Sequence, residues 1–142
     1  MFRISAEAKV HSTENPGKVL RALETILSGE NQERMIGYER YICIESRDHS
    51  ALEKLYDLFR QQRILDVARK TLRKGIVGNS TIFYLNKQVA FVNRLNFCDE
   101  EGESPLGPIR VEIEYQNIDY LIDWLAPFTK NGSEVKLVKS FP

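Results

Sequence analysis

TIFYLNKQVAFVNRLNFCDEEGESPLGPIRVEIEY, residues 81–115, is the stretch on which the fold class turns. Its end, residues 108–115, is the cleanest strand pattern in the chain. Ile109, Val111, Ile113 and Tyr115 alternate with Arg110, Glu112 and Glu114, apolar on one face and charged on the other. Residues 81–85 read as a second strand and residues 92–98 as a third, with the polar DEEGESPLG as the loop before the last. Three strands in succession argue against strict βαβ alternation and for an α+β fold. Within the stretch, Asn86-Lys87-Gln88 interrupts an apolar run without a glycine or proline. It reads as a joint between adjacent strands or a short helical turn. Leu85 and Val89 or Ala90 anchor it, the amides satisfy backbone groups, and Lys87 is displayed as a cation.

Working outward, Phe2, Ile4, Ala6, Ala8 and Val10 alternate with polar residues, the mark of a half-buried strand. Asn15-Pro16 supplies a helix cap and a proline at the first helical position, where its missing N–H costs nothing. Val19, Leu20, Leu23, Ile26 and Leu27 follow at helical spacing, and Gly29 ends the element. Residues 40–47 form a strand with Ile42 and Ile44 on one face. Asp48 or Ser50 caps a long helical region. One apolar stripe holds Leu52, Leu55, Leu58 and Phe59, and a second holds Ile64, Leu65, Ala68 and Leu72 up to Gly75, so one long helix or a pair fits. Downstream, Asn117 caps a helix with Ile118, Leu121, Ile122 and Leu125, stopped by Pro127. The order β-α-β-α-α-β-β-β-α predicts a mostly antiparallel or mixed sheet with helices packed on one face. Residues 1–142 read as a single domain. Residues 130–142, where Val135 and Leu137 alternate, read as a loose tail or an edge strand.

Composition narrows the function. The 142 residues are 42% hydrophobic and 28% charged, too apolar for a disordered chain. No apolar run nears the roughly 20 residues of a membrane span, and the N-terminus lacks a signal-peptide core, which predicts a cytoplasmic protein. Cys43, Cys98, His11 and His49 lack the clustered spacing of a metal site, and the cysteines read as reduced thiols. No phosphate loop, dinucleotide fingerprint or nucleophile elbow is present, so no cofactor is called for. His11-Ser12-Thr13-Glu14 and Asp48-His49-Ser50 hold residue types used in catalysis. Both sit in connectors, where helix starts account for them, and the expectation is that the protein is not an enzyme.

Charge is the informative property. The net charge is zero, from 20 basic and 20 acidic residues. Residues 60–94 nevertheless hold Arg60, Arg63, Arg69, Lys70, Arg73, Lys74, Lys87 and Arg94 against Asp66, a surplus of seven. Residues 95–123 hold eight acids against Arg110, a deficit of seven. At helical spacing Ile64, Leu65, Ala68 and Leu72 share one side, while Arg63, Lys70 and Lys74 fall on the other. A basic face of this kind suits backbone phosphates, and these eight cations form the candidate nucleic-acid interface. Residues 87–94 match the RNA-recognition-motif signature at Lys87, Ala90, Phe91 and Val92 but lack base-stacking aromatics, so that fold is rejected.

TENPGKV (13–19), RILDVAR (63–69), LNKQVA (85–90), LGPIRVEI (106–113) and IDWLAPFT (122–129) together resemble an uncharacterised archaeal family. That family is similar to a predicted exosome-associated RNA-binding group, which looks distantly like the large-subunit ribosomal protein that docks 5S RNA. The resemblance spans nearly the whole chain. It implies an α+β fold like that ribosomal protein, a cytoplasmic setting and RNA as partner. The leading expectation is a non-enzymatic RNA-binding domain that grips phosphates through its basic helix face. The alternative is a protein–protein module, a homodimer or assembly subunit, in which the positive segment of one chain meets the negative segment of another.

Overall fold

The computed structural model describes residues 1–100 and 106–136. Strand β1 (Phe2–Val10) leads to helix α1 (Pro16–Ile26), whose first turn is capped by the Asn15 side chain accepting from the Gly17 N–H at 2.8 Å. A hairpin follows, β2 (Glu30–Ile36) and β3 (Glu39–Ser46), closed by a two-residue loop with Gly37 at φ +64°. The Asp48 carboxylate caps a short 3-10 helix at His49–Leu52, which runs into α2 (Glu53–Gln61). Then come α3 (Leu65–Lys74), the short β4 (Ile76–Val77), β5 (Ser80–Asn86) and α4 (Lys87–Phe91). The chain continues through β6 (Phe97–Cys98), β7 (Pro108–Tyr115) and α5 (Ile118–Leu125), and a small hairpin of β8 (Thr129–Lys130) and β9 (Ser133–Glu134) closes the described residues.

The main sheet is antiparallel throughout, in the order β2-β3-β1-β7-β5-β4, with β6 on the same edge of β5 as β4. β1 lies near its centre, pairing Ala6 with Ile44 on one side and with Val111 on the other. Side chains alternate across a strand, so Ile4, Ala6, Ala8 and Val10 align with Ile42, Ile44, Ile109, Val111, Phe83 and Leu85 on one buried face. Leu23, Ile26, Leu55, Phe59, Leu72, Leu121 and Leu125 of the helices join the same core. The other face is wet: Arg3 lies between Glu45, Glu112 and Glu114 at 3.6–3.9 Å. The predicted α+β class, antiparallel sheet and one-sided helix layer are all present.

Several elements differ from expectation. The long helical region is a pair, because Arg63 adopts φ +56° and ends the α2 ladder, with the Ile64 N–H returning to the Phe59 carbonyl. β2 was not foreseen, since all seven of its residues are exposed and no apolar alternation marks it. Residues 92–98 contribute only the two-residue β6. Asn86 accepts from the Val89 N–H at 3.0 Å and starts α4, and Asn93 at φ +65° turns the chain back. Asn86-Lys87-Gln88 is therefore the short-helix version of the joint. Of the tail, the described residues up to 136 carry the β8–β9 hairpin. The rest of the stretch read as a loose tail or edge strand, Leu137 included, lies outside the described residues.

Gly75 marks where α3 meets β5. A Cβ built there would stand 2.1 Å from the Ile82 carbonyl oxygen, while the Ile82 N–H donates to the Gly75 carbonyl at 3.0 Å. Beside it, buried Thr81 donates its hydroxyl to the Leu72 carbonyl at 2.6 Å. Gly75→Ala is expected to destabilise the fold by about 2 kcal/mol, the range of overpacked sites. Urea denaturation would read this as a lowered midpoint, and an unchanged midpoint would refute the close approach.

Candidate nucleic-acid interface

The eight cations do not share a face. Arg69 is 8% exposed, on the side of α3 turned toward α5. Its guanidinium pairs with Asp123 at 2.9 Å, donates to the Ala126 carbonyl at 3.2 Å and lies 3.9 Å from the Phe128 ring centroid. Arg60 forks onto Glu134 at 2.9 and 3.2 Å, donates to the Leu125 carbonyl and stacks 3.4 Å from the Tyr56 ring centroid. Arg73 reaches Asp119 at 3.4 Å. These three arginines fasten α2 and α3 to α5 and to the β8–β9 hairpin, so the solvent-facing basic face foreseen for this segment is interrupted where α5 packs.

Lys87 departs furthest from expectation. It is 3% exposed, because the first turn of α4 points it inward beneath the end of β1. Its ammonium donates to the Lys9 carbonyl at 2.8 Å, the Leu106 carbonyl at 2.7 Å and the Glu14 carboxylate at 3.0 Å. Glu14 also accepts from the His11 N–H at 3.0 Å, and His11 Nδ1 lies 2.8 Å away. Burial alone would raise the Glu14 carboxyl, but the bonds from His11 and Lys87 outweigh it and hold the group below its ordinary value. Burial pushes the Lys87 ammonium down, and Glu14 opposes that push. Glu14 thus binds a buried charge, while Asn15 alone caps the helix.

Arg63, Lys70, Lys74 and Arg94 are exposed and make no ion pair among the described residues. Lys70 and Lys74 line a cleft of about 460 Å³ between α3 and β5–β6, with Phe97 on its wall and Asp99 and Glu100 at its rim. Arg63 and Arg94 lie elsewhere. The Gln62 side chain donates to the Leu95 carbonyl at 3.0 Å and accepts from the Leu95 N–H at 2.7 Å, which draws residues 63 and 94 together. Beside them a groove of about 350 Å³ runs between α1 and α2, lined by Arg21, Glu24, Thr25, Lys54, Asp57, Leu58 and Asn93. The Thr25 hydroxyl, bonded to the Ala90 carbonyl at 2.8 Å, fixes α4 against α1. Lys18 and Arg21 reach the Phe91 ring at 5.7 and 5.5 Å.

One group of exposed cations therefore lies where α1, α2 and the turn after α4 meet: Arg21 and Lys54 line the groove, Lys18 is one turn before Arg21, and Arg94 follows Asn93. Three of them, Lys18, Arg21 and Lys54, lie outside the segment whose charge surplus stood out. A sum along the chain misses them because they meet only through helix packing. The i, i+3 spacing of Lys18 and Arg21 was the available signal. Among the described residues no group of histidine, cysteine and carboxylate side chains is placed to hold a metal ion, and no helix is long and apolar enough to cross a membrane. Cys43 and Cys98 are not joined by a disulfide.

Residues 3–115 match a family model described as RNA binding. A UPF0201 protein of Sulfurisphaera tokodaii is 44% identical over 133 residues, 93% of this chain and 92% of the relative. Another, from Sulfolobus acidocaldarius, shows the same identity and coverage. The crystal structure of a UPF0201 protein from Methanococcus jannaschii matches with a TM-score of 0.83 at 33% identity, covering 94% of this chain and 98% of that one.

Lys87→Met is expected to cost about 3 kcal/mol, because it strands the Glu14 carboxylate in a nearly closed site. Glu14→Gln should also destabilise at neutral pH. The folded Glu14 titrates below its ordinary value of 4.5, so its contribution is full above that pH and fades as pH falls through the folded value. Urea midpoints of wild type and Glu14→Gln should converge on acidification, and a gap that widens would overturn the assignment.

Proposed function

The chain belongs to the UPF0201 family of archaeal proteins, and on that premise we propose that it is a non-enzymatic RNA-binding domain of the cytoplasm. The description of the matching family model supports RNA as the partner class. One observation carries the location. Arg21 and Lys54, exposed and without ion pairs among the described residues, line a groove whose lining acids are Glu24 and Asp57, with Lys54 donating to the Glu24 carbonyl. Exposed Lys18 lies one turn before Arg21 on α1, and exposed Arg94 follows the groove-lining Asn93, with exposed Arg63 near it through the Gln62–Leu95 clasp. Cations spaced along such a rim match the phosphates of a nucleic-acid backbone, and each neutralised phosphate releases counterions. Contacts of this type position RNA with little base specificity. Lys70 and Lys74 supply a second point of contact. Arg60, Arg69, Arg73 and Lys87 act in this reading by holding together the elements that present the rim. Service in an exosome-type assembly, and kinship with the ribosomal protein that docks 5S RNA, belong to the same proposal and rest on the sequence resemblance.

A protein–protein role is the second reading, favoured by the open edge of β2, where Met35, Ile36 and Tyr38 stand exposed. Pairing of the positive segment of one chain with the negative segment of another draws less support. Arg69 and Arg73 already bind Asp123 and Asp119 within one chain.

Gel shifts with single-stranded and structured RNA test the first reading. A complex is expected at low salt that weakens as salt rises, and the RNA should be recovered intact. Arg63→Ala combined with Arg94→Ala should weaken it and flatten the salt dependence by about 0.7 log unit per log unit of salt for each lost contact to a single strand. No complex at low salt, or one indifferent to both substitutions, would sink the reading.

A further inference from the structure

The two edges of the sheet are finished differently. On the β5 side the edge is broken into β4 and β6, two residues each, a short edge that resists pairing with another chain. On the other side β2 offers seven residues paired only with β3, all exposed, with no lysine, proline or bulge to blunt them. At its tip Met35 is 60% exposed, Ile36 54% and Tyr38 103%, three large apolar side chains within four positions. Nothing among the described residues covers this edge.

We infer that β2 is a dimerisation strand, pairing antiparallel with β2 of a second copy of the chain about a two-fold axis through Gln32. The inference gives the second reading above a surface and a partner, and it stands apart from RNA binding. Charge selects both the occupant and the register. Residues directly opposite in an antiparallel pair share a face, so the axis passes through a residue. An axis through Glu33 or Arg34 would set like charges against each other. Through Gln32 it sets Glu30 against the partner's Arg34, and Arg34 against the partner's Glu30, while Asn31 faces the partner's Glu33. Glu30 makes no ion pair among the described residues, while Arg34 pairs with Glu7 at 2.5 Å within its own chain, so its guanidinium would be shared between Glu7 and the partner's Glu30. The same register lays Met35 against the partner's Gly29 and Ile36 against the partner's Ser28. It thereby covers the apolar tip with small residues. Strand addition at an open edge supplies the main-chain bonds, and these side-chain matches supply the specificity.

Sedimentation equilibrium of the full chain across a concentration series is the test, with circular dichroism to verify that each variant folds. Wild type should dimerise, and Met35→Lys should weaken the dimer. Arg34→Glu should weaken it by about tenfold or more, because it opposes carboxylates at both ends of the pairing. The exchange Glu30→Arg with Arg34→Glu should restore it. A wild-type monomer at every concentration, leaving the edge to a different protein, overturns the proposal. So does a dimer that ignores these substitutions, or one weakened by Arg34→Glu that the exchange does not rescue. RNA binding, read by gel shift on the same variants, is a separate result.

Discussion

Only one face of the sheet is apolar, and five helices share it. Alternation along β1, β3, β5 and β7 sends the aliphatic side chains to that face and the charged ones to the other. Burying the apolar face is the main driving force available to a chain of this size, so the helices crowd together above it. Crowded helices bury part of their second faces as well. A long cationic side chain on such a flank must reach water or find an acceptor, because an unpaired buried charge costs several kcal/mol. Arg69 meets Asp123 and the Ala126 carbonyl, and Arg60 meets Glu134 and the Leu125 carbonyl. Lys87 meets two carbonyls and Glu14. Each supplies the polar tie that the helix layer needs at a seam. Other cations stay exposed on the surface, among them Arg21 and Lys54 on the α1–α2 groove and Lys70 and Lys74 on the cleft between α3 and β5–β6.

Where burial is one-sided, the elements were legible in the sequence. β1, β3, β5, β7, α1 and α5 carry clear apolar periods, and Asn15, Asp48 and Asn117 cap helices as their positions suggest. Where burial is absent, the pattern gave nothing: β2 is a strand because β3 offers it an edge. Residues 92–98 misled for the opposite reason. Strand-type residues there serve a capped helix and a turn, fixed by Asn86, Asn93 and the Gln62 clasp on Leu95. The break at Arg63 was open between two readings, since an arginine in the left-handed region leaves no signature in composition.

Charge was the least local property of all. The surplus in residues 60–94 and the deficit in residues 95–123 look like two surfaces when read along the chain. In three dimensions α3 lies against α5, and Arg69 and Arg73 cancel Asp123 and Asp119. The candidate interface then depends on cations from three helices and a turn that no contiguous window contains. Half of the eight cations singled out in the sequence are exposed and make no ion pair among the described residues. Lys70 and Lys74 border the cleft by Phe97, while Arg94 follows the groove-lining Asn93 and the Gln62–Leu95 clasp draws Arg63 toward it.

The central place of β1 also bears on how the chain reaches this state. One neighbour, β3, is complete by Ser46, but the other, β7, pairs Phe2 with Tyr115. β1 therefore waits for a strand far downstream before its second ladder can close. Until then β1 holds an open edge, although α1, α2 and α3 are already available to shelter the apolar face. Contacts so distant in sequence slow folding and lengthen the time during which a nascent chain can be captured by others. The guanidinium ties of Arg69 to α5 and of Arg60 to the β8–β9 hairpin must wait longer still, because both elements follow β7 in the chain.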